Sequence, residues 1–422
     1  MHIAIVRTEF AASRGGAERY AVNLARTWLD QGHRITVVCA KHDPQDTQGM
    51  QVATVSRPKL LGPWKHRWFA GNAGEVANAT GADAILCLAR AYPGDLLRLG
   101  DGLHRSWLGA RYPNLARRRR ALLNPRHREL LKLEQQMFFP GRFQLYVANS
   151  EMIKRAVTHM YGVDPARILV IPNGVDTARF QPVPATRRGE LRALLGLPGD
   201  ARIVLFSGMD FRRKGLLQAV QGFIQLVKAA PNRDRLLFAC VGKGDSSFAQ
   251  YALAQAGLST QARFEPATSA IEQWYGASDV LLLPTMHDPS ANAVTEALAC
   301  GLPVVTSSEN GARQHIVQGR NGVVLKDRTD AGAMARACRL LLDAAASQES
   351  IARMSGLMTT GDNAAAMLSA LNQAVALRGQ AKAAGPYVAS GNQAAILRQL
   401  KRQMWASGDT RDYRQVFRQM QK

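Results

Sequence analysis

The 422-residue sequence contains only five cysteines, Cys39, Cys87, Cys240, Cys300 and Cys338. They are scattered, odd in number and never spaced C-x-x-C, which excludes a disulfide framework and a cysteine-based structural zinc. Buried reduced thiols in a cytoplasmic protein are the expectation. No apolar run approaches the ~18–20 residues that span a bilayer. The opening Met1-His2-Ile3-Ala4-Ile5-Val6 is closed by Arg7 and Glu9, and reads as a first strand rather than a signal peptide. Solenoid repeats are absent. The first turn lacks a G-x-G-x-x-G fingerprint, which counts against a dinucleotide oxidoreductase. Acidic residues are scarce: 32 Asp+Glu face 54 Lys+Arg, for a net charge of +22. Such an excess suits a polyanionic partner: nucleic acid, an anionic membrane surface or a phosphorylated substrate.

The charge is local. Residues 98–132 hold ten basic and two acidic side chains, and residues 378–422 hold nine and two. In the first patch Trp107, Leu108 and Tyr112 precede Arg117-Arg118-Arg119-Arg120. Leu122, Leu123, Arg126, Arg128 and Lys132 then run into a helix pattern carrying Leu130, Leu131, Leu133, Met137 and Phe138. A solvated helix face is one reading. An interfacial segment on anionic lipid is the other, with each basic residue contributing ~1 kcal/mol near the surface. No DNA- or RNA-binding motif accompanies the patch, so nucleic acid is not expected. In the tail, Ile396, Leu397, Leu400 and Met404 form one helical stripe, and Tyr413, Val416, Phe417 and Met420 a second. These stripes pack on the body or meet lipid or a partner.

The rest of the chain alternates β-branched runs with amphipathic stretches. Strands are expected at Ile3–Val6, Ile35–Cys39, Ala84–Leu88, Leu145–Ala148 and Ile168–Ile171. After a linker at Gln181-Pro182-Val183-Pro184, others follow at Arg202–Phe206, Leu236–Val241, Val280–Leu283 and Val304–Thr306. Ser150 is placed to cap a helix through about Met160. This alternation predicts an α/β protein with two Rossmann-like parallel-sheet domains facing across a cleft. Residues 1–180 form the first, 185–378 the second, and 379–422 a basic amphipathic tail.

Ligands of such domains sit beyond the carboxyl ends of the strands. Gly15 and Gly16 follow Arg14 at a helix start, where backbone N–H groups can approach an anion; a plain tight turn reads as well. Arg213 and Lys214, in Ser207–Gly215, follow the first strand of the second half and suit a diphosphate gaining charge as it leaves. Gly242-Lys243-Gly244 lets a base or ribose approach the backbone. The richest stretch runs from Pro284 to Val305. Asp288 precedes small residues, Ser290, Ala291, Asn292, Ala293 and Val294, that open a helix carrying Glu296. Both acids are placed to address one extended ligand.

Asp288 to Glu296 resembles the E-x7-E signature of retaining glycosyltransferases of family 4, which have the GT-B fold. Gly15-Gly16, Asn149-Ser150, Pro172-Asn173-Gly174-Val175-Asp176 with Phe180, Arg213-Lys214-Gly215 and Gly242-Lys243-Gly244 support the resemblance in order, over roughly residues 1–345. Gly100–Trp107, with the basic insertion 104–132 and Asn124–Arg128, is similar to the branch containing the lipopolysaccharide core glucosyltransferase, in which a basic insertion is associated with membrane contact. The resemblance implies that Glu296 binds the nucleotide ribose and Asp288 the donor-sugar hydroxyls. It places the backbone around Ala291, Asn292, Ala293 and Val294 against sugar and diphosphate, and Arg213 and Lys214 on the leaving diphosphate. Gly15 and Gly16 would line the donor and acceptor side, and Asp101, or alternatively His104, would contact the sugar. Gly242 would lie near the nucleotide.

The first acid is Asp where the family usually has Glu, a reach shorter by ~1.5 Å, a carbon–carbon bond. The family's terminal helix pattern is not evident after Leu340; residues 351–378 read as an Ala-rich helix. No D-x-D occurs, in keeping with a metal-free site, and no cofactor is implied beyond a nucleotide sugar, taken as a UDP-sugar. The resulting expectation is hexose transfer to a membrane glycolipid of the lipopolysaccharide core, at the inner face of the cytoplasmic membrane. Two alternatives stand beside it: a transferase for a capsular, exopolysaccharide or other soluble acceptor, and a non-catalytic basic surface-binding protein on a transferase fold.

Overall fold

The computed structural model describes residues 1–56, 62, 64–344 and 346–383. The two stripes expected in residues 396–420 lie outside the described residues. The apolar runs form two all-parallel sheets. The first contains His2–Val6, Arg34–Cys39, Gln51–Thr54, Ala84–Cys87, Leu96–Arg98, Leu145–Ala148 and Ile168–Val170. Counted in chain order, they lie third, second, first, fourth, fifth, sixth, seventh. The second contains Arg202–Met209, Leu236–Lys243, Ala262–Pro266, Val280–Leu283, Val304–Ser307 and Gly322–Leu325, again with the third outermost and the first beside the fourth. In each sheet the strand order reverses beside the first strand, which opens a ligand crevice at its carboxyl end.

These central strands are apolar without alternation because both faces are covered. Ile3, Ala4, Ile5 and Val6 are all 0% exposed. Ala4 and Val6 pack toward Phe69, Ala73 and Ile153, from helices Trp64–Ala79 and Glu151–Tyr161. Ile3 and Ile5 pack toward Ala21, Leu24 and Trp28 of helix Gly16–Asp30. Helix Glu151–Tyr161 starts as the sequence suggests: the Ser150 hydroxyl accepts from the Ile153 N–H, and Gly162 ends it at φ 67°. All five cysteines are buried and free. Burial pushes the Cys39 thiol up to about 11 and those of Cys240, Cys300 and Cys338 up to about 12.

The chain does not leave its second domain where the sequence suggested. The expected Ala-rich helix is two helices, Gln348–Met354 and Thr360–Ala383. The longer one crosses back and belongs to the first domain. Its Ala364, Met367, Ala370, Leu371 and Ala374 join the cluster of Trp28 and Ile5. Met367 and Leu371 are fully buried, each contributing about 1.5–3 kcal/mol. The Trp28 indole donates to the Ala364 carbonyl, and Arg378 pairs with buried Asp95 at 2.9 Å. The second domain as expected, residues 185–378, therefore ends near Met358, and residues 360–383 complete the first.

The basic insertion is a helical hairpin. His104–Arg111 and Leu115–Ala121 lead into Pro125–Met137. Asn114 and Asn124 cap the last two with their side-chain oxygens, and Pro125 occupies the first turn of the third. Its inner face is anchored by Leu108, Leu130, Leu133 and Met137, all buried.

Candidate active site

A cleft of about 1240 Å³ runs between the carboxyl ends of the two sheets. Its second-domain wall begins where strand Arg202–Met209 ends. Asp210 adopts φ 61°, a left-handed conformation, and its side chain caps the short turn Phe211–Lys214 through the Arg213 N–H. That turn aims Arg213 and Lys214 at Asp288. The Asp288 Oδ2 accepts from Lys214 Nζ and Arg213 Nη1, each at 2.8 Å. Burial alone would raise the Asp288 carboxyl; the Lys214 ammonium and Arg213 guanidinium outweigh it and hold the carboxyl at about 2. The two cations are thus pre-paired with one carboxylate at the wall of the crevice.

Helix Asn292–Ala299 follows and has no side-chain cap. The Ser290 N–H donates to Asp288 Oδ1 and the Ala291 N–H to Asn310 Oδ1. The remaining first-turn residues lining the cleft are Asn292 and Ala293, whose N–H groups lie at the positive end of the helix dipole. Val294, expected beside the donor, is not on this wall. Its side chain is 0% exposed in the second-domain core and its N–H donates to the Ala291 carbonyl. Helical geometry turns that position inward.

Glu296 lies one turn on and lines the cleft. Its Oε2 accepts from the phenol of buried Tyr275 at 3.0 Å. Burial raises the Glu296 carboxyl, opposed by the Tyr275 hydrogen bond and the positive charges of Arg179, Arg19 and Lys214. Burial also raises the Tyr275 phenol, with the Glu296 charge adding to it, so the phenol stays a donor. Gly242 lies at φ 152°, and a Cβ there would collide with the Gly208 carbonyl oxygen. A glycine is needed for the two strand ends to lie this close.

The first-domain wall carries Gly16, Arg98, Asp101 and His104. Gly16 opens helix Gly16–Asp30, and a Cβ there would approach Asn292 Nδ2 to 3.4 Å. Gly15, grouped with it by sequence, does not line the cleft; it stands at the helix cap, where a Cβ would meet the Glu18 carboxylate. Asp101 is 40% exposed and pairs with Arg7, which is buried and also pairs with Glu18 at 2.7 Å. His104 starts the insertion. Its Nε2 lies 3.1 Å from His127 Nδ1, and its ring stacks on Trp107 at 5.5 Å. Burial, then the charges of Arg90, His127 and Arg126, lower the His104 imidazole to about 4.

Two motif residues join the domains. The Ser150 hydroxyl donates to the Pro289 carbonyl at 2.7 Å, and Asn173 Nδ2 donates to Asn292 Oδ1 at 2.7 Å. Asn173 is itself fixed by Arg98, which donates to its Oδ1 at 2.6 Å and stacks over Tyr20. Sequence reasoning missed Tyr275, Arg7, Glu18, Arg98 and Asn363, which accepts from the Tyr20 phenol. Apart from the Arg7–Glu18 pair, each acts through a partner far away in the chain, so no local pattern marks it.

The comparisons with known proteins agree with this geometry. A model described as Glycosyltransferase Family 4 matches residues 14–179, and one described as Glycosyl transferases group 1 matches residues 201–344. Both halves of the chain therefore carry glycosyltransferase domains, the first of family 4 and the second of group 1. The chain is similar to a D-inositol 3-phosphate glycosyltransferase of Kineococcus radiotolerans, at 30% identity over 57% of this chain and 59% of that one. It spans roughly half the length of the first curated relatives it matches. In fold it resembles WaaG, a glycosyltransferase involved in lipopolysaccharide biosynthesis, with a TM-score of 0.71 at 18% identity, covering 87% of this chain and 99% of that one. It also resembles HepE of Anabaena in complex with UDP and glucose, with a TM-score of 0.63 at 17% identity, covering 88% and 99%. The chain therefore has the GT-B fold expected of it.

Proposed function

We propose that this glycosyltransferase moves a hexose, with retention, from a nucleotide diphosphate sugar to a membrane glycolipid of the lipopolysaccharide core. One observation carries the donor half: Arg213, Lys214 and the uncapped helix at Asn292 converge beside Asp288 at the switch point of the second sheet. Two cations and a helix N-terminus there suit a diphosphate that gains negative charge as the glycosidic bond breaks. Glu296, held by Tyr275, faces the ribose. Asp288 orients both cations and offers the remaining lone pair of Oδ1 to a sugar hydroxyl. The charge of the diphosphate is met by side chains and the helix end, so no metal is required. A UDP-sugar is the proposed donor. The leaving diphosphate takes the acceptor proton on the same face of the sugar, so no dedicated base is needed. Asp101, fixed by Arg7, contacts the sugar from the opposite wall.

The surface of the insertion supports the acceptor half. Arg117, Arg119 and Arg120 are exposed, Leu115 is 59% exposed and Leu123 77%. Trp64 and Trp68, one turn apart on the neighbouring helix, are also exposed and flank Lys65 and Arg67. Apolar and indole side chains among unopposed arginines suit the headgroup layer of an anionic membrane. No helix among the described residues is long and apolar enough to cross a membrane. We therefore place the enzyme on the inner face of the cytoplasmic membrane as a peripheral protein. Co-sedimentation with anionic vesicles tests this: the enzyme pellets with them, and removing the charges of Arg117–Arg120 releases it. A soluble acceptor is the second reading, favoured by the relatives named for inositol 3-phosphate. Transfer to a soluble acceptor without any vesicle binding would select it.

A further inference from the structure

The two ends of the cleft differ in how their cations are partnered. At the donor end Asp288 pairs with both Arg213 and Lys214, and Asp210 also pairs with Arg213. At the insertion end Arg90 and Arg126 line the same cleft beside His104, His127 and Trp107. Among the described residues neither guanidinium has an ion pair or a side-chain hydrogen bond; Arg126 is held only through its backbone N–H, by Asn124. Both lie close enough to His104 to lower its affinity for a proton.

The carboxylates around this end are occupied elsewhere. Glu134 is 1% exposed behind the pocket, where it accepts from the backbone N–H groups of His104 and Arg105 and from the Tyr161 phenol, and it feels the Arg90 charge without forming an ion pair with it. Glu129 is buried and pairs with Lys132. Asp101 pairs with Arg7. Burial and the neighbouring arginines keep both imidazoles below their ordinary range; in the neutral pair one ring donates to the other, and the accepting ring keeps one free N–H. The Trp107 ring, stacked on His104, gives one side of the pocket an apolar wall.

From this juxtaposition we infer a phosphate-binding subsite, formed by Arg90, His104, Arg126 and His127, that holds a phosphate group carried by the acceptor. Guanidinium forks suit phosphate oxygens, and the one free N–H of the imidazole pair completes the cradle. The insertion thereby reads the acceptor as well as presenting a basic surface. This subsite rests on the glycosyl-transfer reading in one respect only, that the group it holds belongs to an acceptor.

The test uses the full chain with excess UDP, so that Arg213 and Lys214 are engaged, and inorganic phosphate as the probe. Histidine ring resonances of His104 and His127 should shift saturably with phosphate. The double variant R90A/R126A should weaken phosphate binding by at least tenfold, as expected for loss of charge-assisted hydrogen bonds, and leave UDP affinity unchanged. Mannose 6-phosphate should compete for the subsite and mannose should not; anionic vesicles at equal phosphate should not either. Absence of any ring shift, or a shift that survives R90A/R126A, overturns the subsite. Competition by vesicles alone would assign the pocket to a lipid headgroup and overturn it as well. Failure of the donor reading would appear separately, as the absence of a UDP effect on the melting temperature.

Discussion

Replacing Asp288 by Asn keeps the shape of the side chain and removes the one charge that Arg213 and Lys214 share. The Asp288 side chain is 9% exposed, as is that of Lys214. A carboxyl held at about 2 instead of its ordinary 3.8 corresponds to about 2.5 kcal/mol of native-state stability. Leaving the partners of a buried pair uncompensated typically costs 3–5 kcal/mol, so D288N should lose about 2.5–5 kcal/mol at pH 7. For a domain of this size that is a fall of at least about 5 °C in Tm. The sign of the pH dependence follows from the depressed folded pKa. The wild-type contribution is complete above the unfolded value and vanishes as the pH falls through about 2. Circular dichroism melts at pH 7, 5, 4 and 3 should therefore show a gap that is constant down to pH 5 and narrows toward pH 3. UDP should raise the Tm of D288N at least as much as that of the wild type, since both cations are released to the diphosphate. Equal melting temperatures at pH 7, or a gap that widens in acid, would refute the argument that this ion cluster is built and neutralised in the folded state.

Glu296→Ala should abolish transfer with an unchanged circular dichroism spectrum; Tyr275→Phe, which removes only the phenol that orients Glu296, should raise the KM for the donor by about tenfold, measured by initial rates. Gly242→Ala, whose Cβ would strike the Gly208 carbonyl oxygen, should destabilise the protein by several kcal/mol and abolish UDP binding in a thermal-shift titration. Trp64→Ala combined with Trp68→Ala should weaken vesicle co-sedimentation without changing UDP affinity, as should the neutral variants of Arg117–Arg120.

Strand cores were legible wherever a central strand is buried on both faces. Leu145–Ala148 and Val280–Leu283 fall where the apolar runs predict them. The strands not foreseen are short or partly exposed. Leu96–Arg98 has three residues between glycine-rich loops, and Ala262–Pro266 carries Arg263 and Glu265, which pair with each other at 2.7 Å on the sheet edge. The return helix was misassigned because its apolar residues are mostly alanines; Ala364, Ala370 and Ala374 give a weak periodicity, and only contact with Trp28 makes them core. In the site, the residues that open a helix or end a strand were visible: Arg213, Lys214, Asp288 and Glu296. Gly15 and Val294 were carried over with their neighbours from the family resemblance, and one step along a helix start is enough to turn a residue from the cleft into the cap or the core. The residues that orient these groups, Tyr275 and Arg7, are brought in by the sheets and leave no local mark.

The central claim is retaining transfer from a nucleotide sugar, and time-resolved proton NMR of the reaction tests it most directly. The donor is the UDP-, GDP- or ADP-sugar that gives the largest thermal shift; a ligand at about 100 times its Kd stabilises by ~2.7 kcal/mol. The account predicts that the anomeric proton first formed has the configuration of the donor, and that the signal is absent with Glu296→Ala. A product of inverted configuration, or no turnover with any nucleotide sugar in the presence of a glycolipid acceptor, would contradict it.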